Sequence, residues 1–157
     1  MGREITVKDF PVSKDVSGVN MALDTYGMRE LHWHQQAEWA IMLRGSCQVT
    51  VLDWDGNLFV SNINKGNLWY FPSGLPHSLQ GLEGGCEFLI VFDDGSASEY
   101  NTLLLTEWMA HIPKDILGAN FSVAKSTFNN IPKEGRWIFQ GEKPTGGVSA
   151  KNPLFSE

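Results

Sequence analysis

The chain has 157 residues, 42% of them hydrophobic and 19% charged, an ordinary globular balance that argues against intrinsic disorder. Twelve basic residues against 18 acidic ones give a net charge of -6, which argues against nucleic acid as a partner, because phosphate binding needs a concentrated positive face. No apolar run is long enough to span a membrane, so no membrane partner is expected, and the length fits one domain that buries roughly 70% of its unfolded surface.

The first ten residues lack the apolar stretch of a secretory leader, so a cytoplasmic location is expected, or a secreted one if a leader has been removed. Residues 40–43, 47–52, 58–60, 68–71 and 87–92 are short runs rich in β-branched and aromatic side chains. Turn signals separate them at 44–46, 53–57, 64–67, 72–76 and 83–85, with Asp55-Gly56 a strong hairpin turn. Short strands at spacings near ten residues predict a sandwich or barrel. Beyond Asp94 the period changes. A helix is expected over 100–111, stopped by Pro113, then short helices at 114–117 and 122–128 and a returning strand at 135–139. Residues 141–157, rich in Gly, Pro, Ser and Lys, read as an extension. Cys47 and Cys86 sit among apolar neighbours and read as buried free thiols, with a single disulfide as the alternative.

Three of the four histidines fall in two places. His32-Trp33-His34 places two imidazoles on one face of a strand. Glu38 follows across a turn, and His77 comes behind the rigid segment Pro72-Ser-Gly-Leu-Pro76. Three imidazoles and one carboxylate suit a divalent transition metal. His111 ends a helix, where a cation is favourable. Trp33 and Trp69 read as packing residues, and Phe71, Leu75, Leu79, Ile90 and Phe92 as barrel wall.

The spacing Gly27-x4-His32-x-His34-x3-Glu38-x6-Gly45 resembles the first cupin motif, and Gly66-x5-Pro72-x-Gly74-x2-His77 the second. The first glycine stands one residue closer to the histidine than usual, and Gly81 replaces an asparagine common in cupins. The segments Met28-Arg-Glu-Leu-His-Trp-His34, Leu68-Trp-Tyr-Phe-Pro-Ser-Gly-Leu-Pro-His77 and Val91-Phe-Asp-Asp-Gly-Ser96 are similar to the N-terminal cupin of the two-cupin oxalate decarboxylases, over roughly residues 5–140.

This resemblance implies an all-β fold, a cupin double-stranded β-helix (jelly-roll barrel) with short C-terminal helices, as a single cupin domain over 1–140 and an extension over 141–157. It implies manganese held by His32, His34, Glu38 and His77. Arg29 would bind substrate through its fork of donors, and Glu99, on a lid at 98–101, would be the acid–base group. Strict strand alternation sets Arg29 opposite His32, so its inward aim requires a bulge. The lid reads Tyr100-Asn101 where Asn-Ser is common in the family. The implied activity is manganese-dependent conversion of oxalate to formate and carbon dioxide, with dioxygen as a second small partner. The alternatives are an oxalate oxidase-like outcome, action on another small carboxylate or carbonyl metabolite, or a non-catalytic metal-binding cupin. A lone cupin exposes the face that its two-domain relatives cover, so a homodimer or higher homo-oligomer is expected.

Overall fold

A computed structural model describes residues 1–148. Among these residues nine strands form one antiparallel curled sheet: β1 Gly2–Ile5, β2 Ser17–Leu23, β3 Gly27–Trp33, β4 Glu38–Leu52, β5 Leu58–Asn64, β6 Leu68–Phe71, β7 His77–Phe92, β8 Leu103–Leu104 and β9 Ile138–Gln140. Helices α1 Leu105–His111 and α2 Lys114–Phe121 follow β8, with a 3-10 turn at Lys125–Phe128. No helix among the described residues is long and apolar enough to cross a membrane.

Two long strands organise the barrel. β4 and β7 pair with each other along nearly their whole length. The first part of β4 also pairs with β6, and its second part with β5. The second part of β7 pairs with β2, and its first part with β3. Each long strand therefore belongs to both faces of the barrel. The turns expected at 44–46 and 83–85 are instead bends inside continuous strands, where the β4–β7 register shifts. Gly45 and Gly85 take φ of +68° and +70°, and a side chain at Gly45 would collide with the Gly85 carbonyl. Glycine at both positions lets the two backbones turn the corner in contact.

Alternation fills the interior. In β2, Ser17, Val19, Met21 and Leu23 point inward, and Val49, Val51, Phe88, Ile90 and Phe92 do the same from β4 and β7. Burying each such large side chain stabilises the fold by about 1.5–3 kcal/mol. The expected wall residues Phe71, Leu75, Leu79, Ile90 and Phe92 are all buried. Cys47 and Cys86 are buried and unbridged.

Further details differ from the sequence expectation. β1 and β2 lie in a stretch that carried no strand signal. The helix expected over 100–111 begins only at Leu105, because Leu103 and Leu104 pair with Trp33 and His32 as β8. The short helix at 114–117 extends to Phe121, and that at 122–128 shrinks to the 3-10 turn. The late strand moves to 138–140, on the edge of β3. Of the extension over 141–157, residues 141–148 contain no helix or strand, and the rest lies outside the described residues.

Candidate metal centre

β3 delivers Arg29, Glu30 and His32, all buried. Two neighbouring residues cannot both face inward on a regular strand, and the β3–β7 register shifts between Arg29 and His32. That bulge turns Arg29 to the same side as His32. His77 opens β7 directly opposite His32 in the ladder. His34 lies just past β3, on a turn pinned from two sides. The Gly74 amide donates to the His34 carbonyl at 3.0 Å, and the Ser73 hydroxyl donates to that of Gln35. Opposite, Asp93 accepts from the Ala37 amide at 2.9 Å, and Asp94 from the Gln36 side chain at 3.0 Å. Glu38 then opens β4.

The ring nitrogens of His32, His34 and His77 that face one another lie within 4.8 Å. Each Nδ1 sits against a backbone carbonyl: Glu30 at 2.6 Å, Gln36 at 2.8 Å and Leu75 at 2.8 Å. A carbonyl oxygen only accepts, so each Nδ1 carries the hydrogen and each Nε2 is free to offer its lone pair inward. Glu38 is oriented in the same way. Its Oε1 accepts from the Trp69 indole at 3.1 Å, while Oε2 lies 3.3 Å from His34 Nε2 and 3.6 Å from His77 Nε2. The buried His77 Nε2 has no hydrogen-bond partner among the described residues. An orphaned, inward-facing nitrogen among two further imidazoles and a carboxylate fits a divalent transition metal.

The electrostatics favour a neutral imidazole at His32 and an ionised carboxylate at Glu38, the forms in which these groups ligate a metal. Burial, the neighbouring His77 and Arg29 push the His32 imidazole well below its usual range. Burial works against the charge on His34 too, but Glu38 outweighs it and raises the value. Burial would raise the Glu38 carboxyl, yet the adjacent His34 imidazole, with His77 beside it, holds it at about 2.

Arg29 and Glu99 lie beside this cluster. The buried Arg29 Nε donates to the Glu99 carboxylate, and Nη2 reaches Thr102 Oγ1 at 3.1 Å. Arg29 Nη1 is buried without a hydrogen-bond partner among the described residues. Burial pushes the Glu99 carboxyl above its ordinary range, opposed by the Arg29 charge. A cavity of about 590 Å³ is lined by the three histidines together with Leu31, Trp54 and Trp108 among others; Arg29 and Glu99 do not line it.

Sequence reasoning missed several supporting groups. Trp69 does more than pack, since it orients Glu38. Glu30 accepts from the Thr106 amide and hydroxyl and from the amides of Arg136 and Trp137. This ties down Trp137, whose ring lies 5.3 Å from the Arg29 guanidinium and 5.5 Å from the Tyr100 ring. None of these contacts has a local spacing signature. Trp33 packs edge-on against Trp108, in keeping with its reading as a packing residue. His111 folds back on the Glu107 carbonyl in the last turn of α1.

The comparisons with known proteins agree with this geometry. The model of the cupin family matches residues 2–129. The chain is 51% identical over 142 residues to oxalate decarboxylase OxdC of Bacillus subtilis (strain 168), covering 90% of this chain and 37% of that one. It is 41% identical over 128 residues to a probable oxalate decarboxylase of Arthroderma benhamiae, covering 81% and 32%. Among solved structures, the formate complex of Lactobacillus farciminis oxalate decarboxylase superposes with a TM-score of 0.93 at 45% identity, covering 98% of this chain and 48% of that chain. A Bacillus subtilis oxalate decarboxylase structure determined in work on its Mn(II) centres superposes at 0.91 with 47% identity, covering 98% and 41%. The chain thus spans less than half the length of these relatives. With its motifs, barrel and inward-facing histidines on one scaffold, the chain belongs to the cupin family.

Proposed function

We propose that this chain is a manganese-dependent carboxy-lyase that cleaves the carbon–carbon bond of oxalate to formate and carbon dioxide. The observation that carries this reading is a pair of buried polar atoms without a hydrogen-bond partner among the described residues: His77 Nε2 in the imidazole cluster, and Nη1 of Arg29, whose Nε already holds Glu99. A small dicarboxylate bound to a metal beside Arg29 answers both. The names of the similar proteins, and the Mn(II) centres of the Bacillus subtilis one, support the choice of substrate and ion.

His32, His34, His77 and Glu38 would hold the manganese, which supplies one-electron redox chemistry together with dioxygen. The remaining work belongs to the chain. Arg29 orients one carboxylate through its planar fork. Glu99, with a raised proton affinity, accepts the proton of the substrate's acid group and returns one to the carbon that carbon dioxide leaves. The proton balance closes, because hydrogen oxalate yields formate and carbon dioxide with no net proton change. Burial of Glu99 and Arg29 keeps water from that carbon.

The test is oxalate turnover by the manganese-loaded chain under air, with formate, carbon dioxide and peroxide all measured. Formate in equal amount to carbon dioxide supports the lyase. Peroxide without formate assigns the oxidase outcome, and neither product rejects both.

We further propose that the chain self-associates. Trp54, 77% exposed, and Leu58, 57% exposed, stand with Leu31, Leu52 and Trp108 on one apolar face around the 590 Å³ cavity.

A further inference from the structure

Glu4 lies on β1, far from the metal-binding motifs in sequence, yet its carboxylate meets the segment that carries Glu99. The Ser98 hydroxyl donates to it, at 3.0 Å from Oε1 and 2.9 Å from Oε2. The Glu99 amide donates to Oε2 at 3.1 Å. The same Ser98 oxygen accepts from the Tyr100 amide at 3.2 Å, so the carboxylate organises three consecutive residues. On the far side, Arg29 holds the Glu99 side chain and, through Nη2 at 3.4 Å, the Glu99 carbonyl. Glu99 is therefore gripped from two directions. The grip from Glu4 acts on backbone, so it sets where the Glu99 carboxyl can reach.

We propose that Glu4 is the positioning residue of Glu99: by accepting from the Ser98 hydroxyl and the Glu99 amide, it holds residues 98–100 where the Glu99 carboxylate meets Arg29. Hydrogen bonds to a charged acceptor are among the stronger ones, and a proton-transfer group must sit within hydrogen-bond reach of its target. The role deepens the oxalate-lyase reading and rests on it for the kinetic part alone. A plainer role, fastening β1 to the barrel, predicts different behaviour: β1 would loosen and the chemistry would be spared.

The experiment compares the full-length manganese-loaded chain with Glu4→Gln and Glu4→Ala. Hydrogen exchange at amides 98–101 is expected to quicken about tenfold in Glu4→Ala and less in Glu4→Gln, which keeps one acceptor oxygen, while β4 and β7 stay protected. With oxalate, kcat is expected to fall about tenfold with KM changed less than about twofold, and Glu4→Gln to recover part of the loss. Unchanged exchange at 98–101 overturns the proposal, as does loosening of β1 alone with kcat intact. If the wild type does not consume oxalate, the oxalate reading fails and the exchange measurement alone decides on Glu4. If Glu4→Ala does not fold, the comparison of wild type with Glu4→Gln decides by the same criteria.

Discussion

The Trp69 indole donates to one oxygen of Glu38 at 3.1 Å and leaves the other facing His34 and His77. Both residues are buried, so neither partner has water as a substitute. Trp69→Phe keeps an aromatic ring, though a smaller one, and deletes the donor. Removal of such an outer partner typically weakens metal binding by about 10–100-fold. We expect Mn(II) titration by calorimetry to show a loss at the low end of that range. An unchanged affinity would mean that Glu38 is held by other contacts.

Arg29→Lys tests the fork. Lysine keeps the charge but cannot serve Glu99, Thr102 and an incoming carboxylate in one plane. Oxalate turnover should fall by about tenfold or more in kcat/KM, a loss of about 1.4 kcal/mol in transition-state stabilisation. Mn(II) affinity should change far less, because Arg29 is not a ligand. A parallel collapse of metal binding would show instead that the whole site had come apart.

The Glu99 carboxyl has a pH signature in the metal-free protein. Its folded value is raised, chiefly by burial, so the folded state holds the proton more tightly than the unfolded chain does. Its contribution to stability is therefore fully present below the ordinary glutamate value of about 4.3 and is lost as pH rises through the higher folded value. Glu99→Gln cannot ionise. The stability of wild type minus that of Glu99→Gln should accordingly decline as pH rises from about 4 to 7, read by urea denaturation at each pH. A difference that grows with pH would mean that Arg29 dominates the carboxyl.

The apolar face around Trp54 predicts an assembly. Light scattering at high protein concentration should give a mass above 17.5 kDa. Trp54→Ser with Leu58→Asp should shift the mass toward the monomer and leave Mn(II) binding intact. A wild-type monomer at every concentration would remove the proposal.

The cluster of His32, His34, Glu38 and His77 was legible because each part carries a local signal: two histidines one residue apart, a carboxylate four residues on, and a later histidine behind a proline–glycine turn. Arg29 was legible only by resemblance, since strand alternation points it outward and only the bulge reverses it. Gly45, Gly84 and Gly85 looked like chain reversals because a permissive backbone signals turns and bends alike. The stretch 17–23 contains Ser, Gly and Asn, poor strand formers alone, and becomes β2 because β1 and β7 pair with it on both edges. Glu4, Glu30 and Trp69 act across long separations, where no spacing rule reaches.

The corner at Gly45 reaches into the chemistry. Glu38 pairs with Phe92 at one end of the β4–β7 ladder, and His77 pairs with Val51 at the other. In a flat ladder those ends would stand roughly 40 Å apart at about 3.3 Å per residue. Here their side chains come within 3.6 Å. An ion seated between them would act as a clasp on a folded ribbon, and its grip would report the ribbon's curvature. Forcing the corner apart with Gly45→Ala, whose Cβ meets the Gly85 carbonyl, should therefore loosen the clasp although none of the four side chains is touched, lowering Mn(II) affinity and the thermal stabilisation that manganese confers.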